Sequence, residues 1–247
     1  MNLGLDDRTA IVCGASSGMG LAIAERLAGE GANVAMFARR RDLLEREAER
    51  IGALAVRGDV TVPGDLERLV ERTVGAFGGI DVLVNNGGGP PPGPAVGLSD
   101  EAVESAVALL LLSVIRLPNL CLPHLERGGR GRIVNIESSS VRAPLDNLAL
   151  SNAIRPGVVG WAKTLAREVG GKGITVNTIA PGYIDTERLR SVFPDGPPAA
   201  TLGQIPTGRL GAPAEIADVV CFLASEQASY VTGAVIPVDG GLTRNLL

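Results

Sequence analysis

The feature that most restricts the fold of this chain is a regular alternation of short apolar runs with longer amphipathic segments. Strands are predicted at Thr9–Cys13, Asn33–Ala38, Leu54–Gly58, Val82–Asn85, Arg132–Glu137, Ile174–Ile179 and Ala234–Val238. Helices are predicted between them, at 18–29, 41–51, 63–77, 99–127, 153–169 and 213–225. Strands without a polar face that alternate with helices indicate a parallel sheet covered on both sides. We therefore predict an α/β fold, a doubly wound parallel sheet of about seven strands, in one domain over residues 1–247.

A glycine-rich turn, Gly14-Ala15-Ser16-Ser17-Gly18-Met19-Gly20, joins the first predicted strand to the first helix. Glycine permits positive φ and lets backbone N–H groups approach an anion, which the positive end of the helix also attracts. The pyrophosphate of a dinucleotide is such an anion. A tight turn without a ligand has the same composition. The turn therefore indicates a dinucleotide site only in combination with other motifs.

Composition excludes several classes of function. The net charge is −4 with Lys and Arg dispersed along the chain, so no nucleic-acid face is expected. Three cysteines lie far apart and there is one histidine, so no metal site is expected. The N-terminus has no signal-peptide pattern, and the longest apolar stretch, Ala106–Ile115, is about half a membrane span. We expect a cytoplasmic protein without a membrane partner.

The second predicted strand ends in Ala38-Arg39-Arg40. Sheets of this type that bind NAD usually have an acidic residue here, which bonds the adenosine ribose hydroxyls. A carboxylate would repel a 2′-phosphate, whereas a guanidinium pairs with one. The pair Arg39 and Arg40 therefore predicts NADP(H) in preference to NAD(H). The alternative is that both arginines only begin the next helix in solvent.

The spacing of Gly14, Gly18 and Gly20 and the motifs that follow in order resemble the short-chain dehydrogenase/reductase family. The motifs are Gly58-Asp59-Val60, Asn85-Asn86-Gly87-Gly88, Ala180-Pro181-Gly182-Tyr183-Ile184-Asp185-Thr186, and the tail from Tyr230-Val231-Thr232-Gly233 to Val238-Asp239-Gly240-Gly241. The tail is similar to that of the beta-ketoacyl carrier-protein reductase branch. The resemblance implies a Rossmann-type fold, NADP(H) as cofactor, and self-association as a dimer or tetramer through the helices at 99–127 and 153–169.

The same resemblance implies the residues that bind the cofactor. They are Gly14, Ser16, Ser17, Gly18, Met19, Arg39, Arg40, Asp59, Val60, Asn86, Gly87, Gly88, Arg155, Pro181, Gly182, Ile184 and Thr186.

The catalytic residues depart from the family pattern. Ser138 matches the family serine that binds the substrate oxygen, but 13 residues further on the chain has Ser151-Asn152-Ala153-Ile154-Arg155 where the family has Tyr-x-x-x-Lys. Leu110 falls at the position of the family's relay asparagine. This combination resembles a divergent reductase-like branch with Ser-x-x-x-Arg. A serine hydroxyl is a far weaker acid than a phenol, and arginine remains charged at working pH.

Other residues could complete a proton transfer. Tyr183 is the best substitute, with Ser151 and water as alternatives; Tyr230 lies in the C-terminal segment and His124 is expected at a surface. Glu137, one residue before Ser138, either faces the pocket or bonds locally. Pro156 belongs in a first helical turn, so we expect the helix to begin near Asn152 or Ala153, with Ser151 at or before its cap.

Two segments are expected to be irregular loops that wall a pocket: Gly87–Gly97, rich in Gly and Pro, and a lid at Glu187–Thr207 that carries Pro194, Pro197 and Pro198. The first hypothesis is an NADP(H)-dependent oxidoreductase acting on a small carbonyl or alcohol, similar to 3-oxoacyl reductases. The second is an NADP(H)-binding sensor or partner subunit without redox activity. The third is a lyase or hydratase with Glu137 as base.

Overall fold

Seven parallel strands form one sheet in the computed structural model, which describes residues 2–193 and 195–245. The strand order is β3-β2-β1-β4-β5-β6-β7. The strands are β1 (Thr9–Cys13), β2 (Asn33–Ala38), β3 (Leu54–Arg57), β4 (Val82–Asn85), β5 (Arg132–Ile136), β6 (Thr175–Pro181) and β7 (Val235–Val238). The predicted fold class, a doubly wound parallel sheet, is confirmed, and each strand lies within three residues of its predicted bounds.

Helices cover both faces of the sheet. They are α1 (Gly18–Gly29), α2 (Arg41–Ile51), α3 (Pro63–Phe77), α4 (Asp100–Val107), α5 (Ser113–Leu125), α6 (Ala149–Val169), α7 (Glu187–Val192), α8 (Ala199–Leu202) and α9 (Pro213–Ala224). A π-helical segment, Ala108–Leu112, joins α4 to α5, and short 3₁₀ turns lie at Ser139–Val141 and Gly170–Lys172.

The core has two halves because successive strand residues point to opposite faces of the sheet. In β1, Ala10 and Val12 belong to the apolar cluster on the α1 and α9 side, while Ile11 and Cys13 belong to the cluster on the α3 and α5 side. All five residues of β1 are buried, as expected for a central parallel strand.

Two predictions about helices are wrong. The helix around Pro156 begins at Ala149, not near residue 152 or 153, and Ser151 lies inside its first turn. The predicted lid loop is not irregular throughout, because it contains α7 and α8; Pro194 lies outside the described residues. The Gly87–Gly97 segment contains no helix or strand, as predicted, although Gly93 forms an isolated bridge with Leu148.

The helical stretch Asp100–Leu125 is 26 residues long and apolar enough to cross a membrane by those two criteria. It exceeds the expected apolar stretch because α4 and α5 are continuous through the π segment. Length and hydropathy alone are weak evidence of a membrane span, since a core helix of a soluble protein also meets both criteria. In this fold one side of α5, including Leu117, Cys121 and Leu125, packs against the sheet.

The strand order positions the site. From β1 the chain proceeds to β2 and β3 on one side and returns to β4 on the other. At such a reversal the loops after neighbouring strands separate and leave a crevice at the carboxyl ends of the strands. The loops after β1 and β4 therefore border one crevice.

Candidate functional site

The turn between β1 and α1 has a backbone that only glycine fits. Gly14 and Gly18 have φ of +62° and +58°, and a β-carbon on Gly14 would lie 2.6 Å from the carbonyl oxygen of Asn86. A β-carbon on Gly20 would lie 2.3 Å from the carbonyl oxygen of Gly14. Asn86 in turn donates a hydrogen bond from Nδ2 to the carbonyl of Cys13 at 3.1 Å. The turns after β1 and β4 are thus fitted to each other, and the glycines are required by that contact.

The N-terminus of α1 is suited to an anion. Among the described residues no side chain caps the helix, and its first turn contains no acidic residue. The hydroxyl of Ser17 at the N-cap instead accepts a hydrogen bond from Nη2 of Arg40 at 2.5 Å. The first backbone N–H groups of the helix therefore face the crevice with a positive partial charge.

The two arginines after β2 differ in their contacts. Arg39 is 77% exposed, and its Nη1 lies 3.8 Å from a carboxylate oxygen of Asp59. Arg40 contacts Ser17 and also donates from Nη1 to the Glu187 carboxylate at 2.9 Å. Arg40 thus connects the first turn of α1 with α7, and Arg39 remains available at the rim.

A buried polar network follows β5. Arg155 on α6 donates from Nη1 to Oε2 of Glu137 at 2.9 Å and from Nε to Oγ of Ser151 at 3.0 Å. The hydroxyl of Ser151 lies 3.3 Å from that of Ser140. The side chains of Glu137 and Arg155 are 2% and 9% exposed. Ser138, at the start of the 3₁₀ turn, accepts a hydrogen bond from the backbone N–H of Ser140 at 3.1 Å.

Burial raises the pKa of the Glu137 carboxyl to about 7, although the neighbouring Arg155 guanidinium acts to lower it. The sequence alternatives for Glu137 were that it faces the pocket or bonds locally. The structure shows both, because Glu137 lines the cavity described next and pairs with Arg155.

Tyr183 follows β6 and packs edge-to-face on Phe193, with ring centroids 6.5 Å apart. Burial, with a smaller contribution from Asp146, raises the pKa of its phenol, which therefore stays protonated at neutral pH.

All the residues that the sequence predicted for catalysis and cofactor binding line one cavity of about 710 Å³. These are Gly14, Ser16, Ser17, Gly18, Met19, Arg39, Arg40, Asp59, Val60, Asn86, Gly87, Gly88, Ser138, Ser151, Arg155, Pro181, Gly182, Tyr183, Ile184 and Thr186. Residues separated by up to 172 positions in the chain, Gly14 and Thr186, therefore meet in one place.

Three other residues that the sequence analysis considered are not among the described residues that line the cavity. Tyr230 is fully exposed and, like His124, is not among the described residues that line the cavity. Leu110 is buried and is not among the described lining residues, whereas its neighbour Leu109 lines the cavity.

Sequence reasoning missed the contribution of α7. Arg188 lines the cavity and donates from Nη2 to the carbonyl of Pro90 at 2.7 Å, and Glu187 binds Arg40. Both residues directly follow Thr186. The sequence analysis predicted an irregular loop here, and it therefore did not predict the helical turn that brings the two side chains to the crevice.

These features fit a dinucleotide. The turn has no room for β-carbons, the α1 N-terminus is uncapped, and guanidinium groups lie at the end of β2, where an adenosine ribose is bound in doubly wound sheets. Fold and site together define the class of doubly wound nucleotide-binding proteins. A family model described as enoyl-(acyl carrier protein) reductase matches residues 14–243. The chain belongs to the short-chain dehydrogenase/reductase family of oxidoreductases.

Similar proteins carry consistent names. The chain is 37% identical to the 3-oxoacyl-(acyl-carrier-protein) reductase FabG of Vibrio cholerae, over 97% of this chain and 99% of that protein. It is 39% identical to the enzyme of the same name from Pseudomonas aeruginosa, with the same coverage. By their names these relatives are oxidoreductases.

Solved structures agree with the fold. One is YwfH, described as an NADPH-dependent reductase involved in bacilysin biosynthesis, with a TM-score of 0.92 at 27% identity over 97% of this chain and 99% of that one. Another is a single-residue variant of the actinorhodin polyketide ketoreductase with NADPH, with a TM-score of 0.91 at 33% identity over 96% and 98%. A third is the L-sorbose reductase of Gluconobacter frateurii with NADPH and L-sorbose, with a TM-score of 0.91 at 32% identity over all of both chains.

Proposed function

We propose that this protein is an NADP(H)-dependent oxidoreductase that interconverts a carbonyl and an alcohol. This is the type of reaction for which its relatives, the 3-oxoacyl-(acyl-carrier-protein) reductases, are named. One observation carries the proposal: a single cavity contains the glycine-rich turn, both arginines after β2, and Ser138. The same family membership supports a cytoplasmic protein that self-associates and takes a small-molecule substrate.

The proposed roles follow from chemistry at each position. The N–H groups at the start of α1 hold the pyrophosphate, and Arg39 pairs with the 2′-phosphate. The nicotinamide of the bound cofactor supplies or accepts the hydride. Ser138 donates a hydrogen bond to the substrate oxygen, on which negative charge develops as the carbonyl carbon accepts hydride. Arg155 orients the ribose and holds Ser151.

We propose that Ser151 and Arg155 stand where the family has Tyr-x-x-x-Lys, so that another group supplies the proton that completes the alcohol. Two side chains in the cavity are candidates. Tyr183 is protonated at neutral pH, which suits a donor in the reduction direction. Ser151 accepts a hydrogen bond from Arg155, and such a donor stabilises the alkoxide that the serine would become. A water molecule is the third candidate.

The test begins with nucleotide binding. Purified protein is titrated with NADPH and NADH by calorimetry, alongside Arg39→Asp and the control Arg46→Asp, which makes the same charge change on an exposed residue outside the cavity lining. We expect NADPH to be preferred, and the preference to be lost only in Arg39→Asp. Failure of both nucleotides to bind would overturn the proposal.

Turnover is then followed by loss of NADPH absorbance on a panel of ketones and 3-oxo esters. Ser138→Ala should lower kcat by about 100-fold, the effect of removing one donor to a developing oxyanion. Comparison of Tyr183→Phe with Ser151→Ala identifies the proton donor, since loss of the donor should lower kcat while the affinity for NADPH stays unchanged.

A second candidate function is an NADP(H)-binding protein without redox activity. The observation that favours it is the Glu137–Arg155 ion pair, in which an arginine stands where the alignment we propose puts the family's catalytic lysine. Tight NADPH binding with no turnover on the panel would support it. The lyase or hydratase alternative, with Glu137 as base, predicts product without any change in cofactor absorbance.

A further inference from the structure

Two arginines converge on one point beside the Gly88–Pro90 backbone. A β-carbon placed on Gly89 would lie 3.4 Å from Nη2 of Arg188 and 3.9 Å from Nη2 of Arg155. Arg188 reaches this point from α7 and donates to the carbonyl of Pro90 at 2.7 Å, while Arg155 reaches it from α6 and donates to the carbonyl of Gly88 at 3.3 Å. A single anionic group beside Gly89 would therefore contact both guanidiniums.

The charges at this point are not balanced. Glu137 compensates Arg155. Within residues 2–193 and 195–245, Arg188 has no carboxylate within ion-pair distance. Each guanidinium carries five N–H donors, and the hydrogen bond of Arg188 to Pro90 uses one of its nitrogens, so donors remain for a ligand. The site has a net positive charge and spare donors.

A second cavity of about 440 Å³ adjoins this point. It shares Gly89, Pro90, Pro92 and Leu109 with the main cavity. Its other described lining residues are mostly apolar, with leucine and alanine side chains from the start of α4, the 90–98 loop and α6, and Glu101 as the one charged residue. An apolar group can enter from the arginine side, whereas a second carboxylate is disfavoured near Glu101.

We propose that the substrate is an amphipathic carboxylate: an oxo acid whose carboxylate is bound by Arg188 together with Arg155, and whose apolar part occupies the second cavity. The proposal rests on the oxidoreductase function above and specifies its substrate class. It separates this protein from one that takes a thioester carbonyl without a nearby free carboxylate. The carboxylate accepts hydrogen bonds from both Nη2 atoms, which places the neighbouring carbonyl in the cavity that contains Ser138.

Binding tests the proposal without turnover. The protein saturated with NADP⁺ is titrated by calorimetry with octanoate, methyl octanoate and acetate. We expect octanoate to bind at least about tenfold more tightly than the ester, since hydrogen bonds to a charged group are lost with esterification. Equal affinity for octanoate and the ester would overturn the carboxylate site, and equal affinity for octanoate and acetate would overturn the role of the second cavity.

Three variants assign the effect to this site. Arg188→Gln removes the charge and should weaken octanoate about tenfold or more. Gly89→Ala places a methyl group at ordinary contact distance from both Nη2 atoms, so the fold accepts it but the space for the anion is lost. Arg190→Gln is the control, because Arg190 lies on the same helix, is 69% exposed, pairs with Asp185 and is not among the cavity-lining residues. A loss of the same size in Arg190→Gln would contradict the proposal.

The source of the anion is checked in parallel. If Arg188→Gln weakens NADPH and leaves octanoate unchanged, Arg188 serves a cofactor phosphate and the proposal fails while the proposed function stands. Kinetics with 2-oxooctanoate and its methyl ester give a further readout, with the variant expected to raise KM for the acid and not for the ester. Absence of NADPH binding would instead contradict the proposed function itself.

Discussion

The buried ion pair between Glu137 and Arg155 makes a quantitative prediction for Arg155→Met. Methionine keeps an unbranched apolar stem and removes the guanidinium. Glu137, whose side chain is 2% exposed in the parent, then has no partner guanidinium, and its Oε2 loses the 2.9 Å hydrogen bond. Removal of one partner of a buried pair costs about 3–5 kcal/mol, mostly because the remaining charge is not compensated.

This cost should depend on pH with a defined sign. The pKa of Glu137 is about 7 in the folded protein and about 4.5 when unfolded. Because the folded state holds the proton more tightly, stability falls as pH rises through that interval. Arg155 lowers the pKa of Glu137, so Arg155→Met raises it further above 7. From about pH 7 upward the variant should lose about 1.4 kcal/mol of stability per pH unit relative to the parent, until the new pKa is reached.

Urea unfolding at pH 6, 7, 8 and 9 measures this difference. At pH 6 the carboxyl is protonated in both folded proteins, so only lost packing and the lost bonds to Ser151 and Gly88 should separate them. The double variant Arg155→Met/Glu137→Gln carries no ionisable group here, and its stability relative to the parent should lack the additional slope above pH 7. A destabilisation by Arg155→Met that is equal at pH 6 and pH 9 would refute the reasoning, as would a slope that persists in the double variant.

Three further outcomes are expected. Gly20→Ala should lower the free energy of unfolding by about 1–3 kcal/mol and abolish NADPH binding, because the new β-carbon would lie 2.3 Å from a carbonyl oxygen. The control is Gly29→Ala on the same helix, whose β-carbon would meet no atom within 4 Å and which should change stability by less than about 1 kcal/mol in urea unfolding. The three buried cysteines should not react with a disulfide reagent until the protein unfolds. Burial raises the thiol pKa of Cys13 and Cys221 to about 12, and it raises the thiol pKa of Cys121 as well. Fast reaction of the native protein would contradict this prediction. The affinity for octanoate should increase as pH falls through about 7, because protonation of Glu137 leaves the positive charge of Arg155 uncompensated. Calorimetry on the Glu137→Gln variant should show an octanoate affinity that no longer depends on pH in this range.

Local patterns were sufficient to predict the fold and to select residues that meet in one cavity. The turn residues Gly14, Gly18 and Gly20 and the strand ends each carry their signal within a few positions, and parallel strands bring their carboxyl ends together. The start of α6 could not be obtained this way. Pro156 lies at the eighth residue of the helix, and the amide of Asn152 donates to and accepts from the backbone of Leu145, which stabilises the early turns.

The arginine contacts beside Pro90 and Glu137 depend on parts of the chain that are distant in sequence. Arg188 meets the Pro90 carbonyl across 98 residues, and Arg155 meets Glu137 across 18. No local pattern encodes which guanidinium pairs with which partner. The predicted site residues therefore meet in one cavity, whereas the contact of Arg188 with Pro90 and the pairing of Arg155 with Glu137 were not predicted.

The six-residue helix α7 has a consequence for attempts to engineer this protein. Its neighbouring residues Glu187 and Arg188 contact opposite ends of the cavity, the first through Arg40 beside the α1 N-terminus and the second at Pro90. A substitution at Arg40 that is intended to change cofactor preference therefore also removes an anchor of the helix that presents Arg188. Selection for a new cofactor and selection for a new substrate would both change contacts of helix α7. Libraries of variants should therefore vary residues 39–40 and 187–188 together.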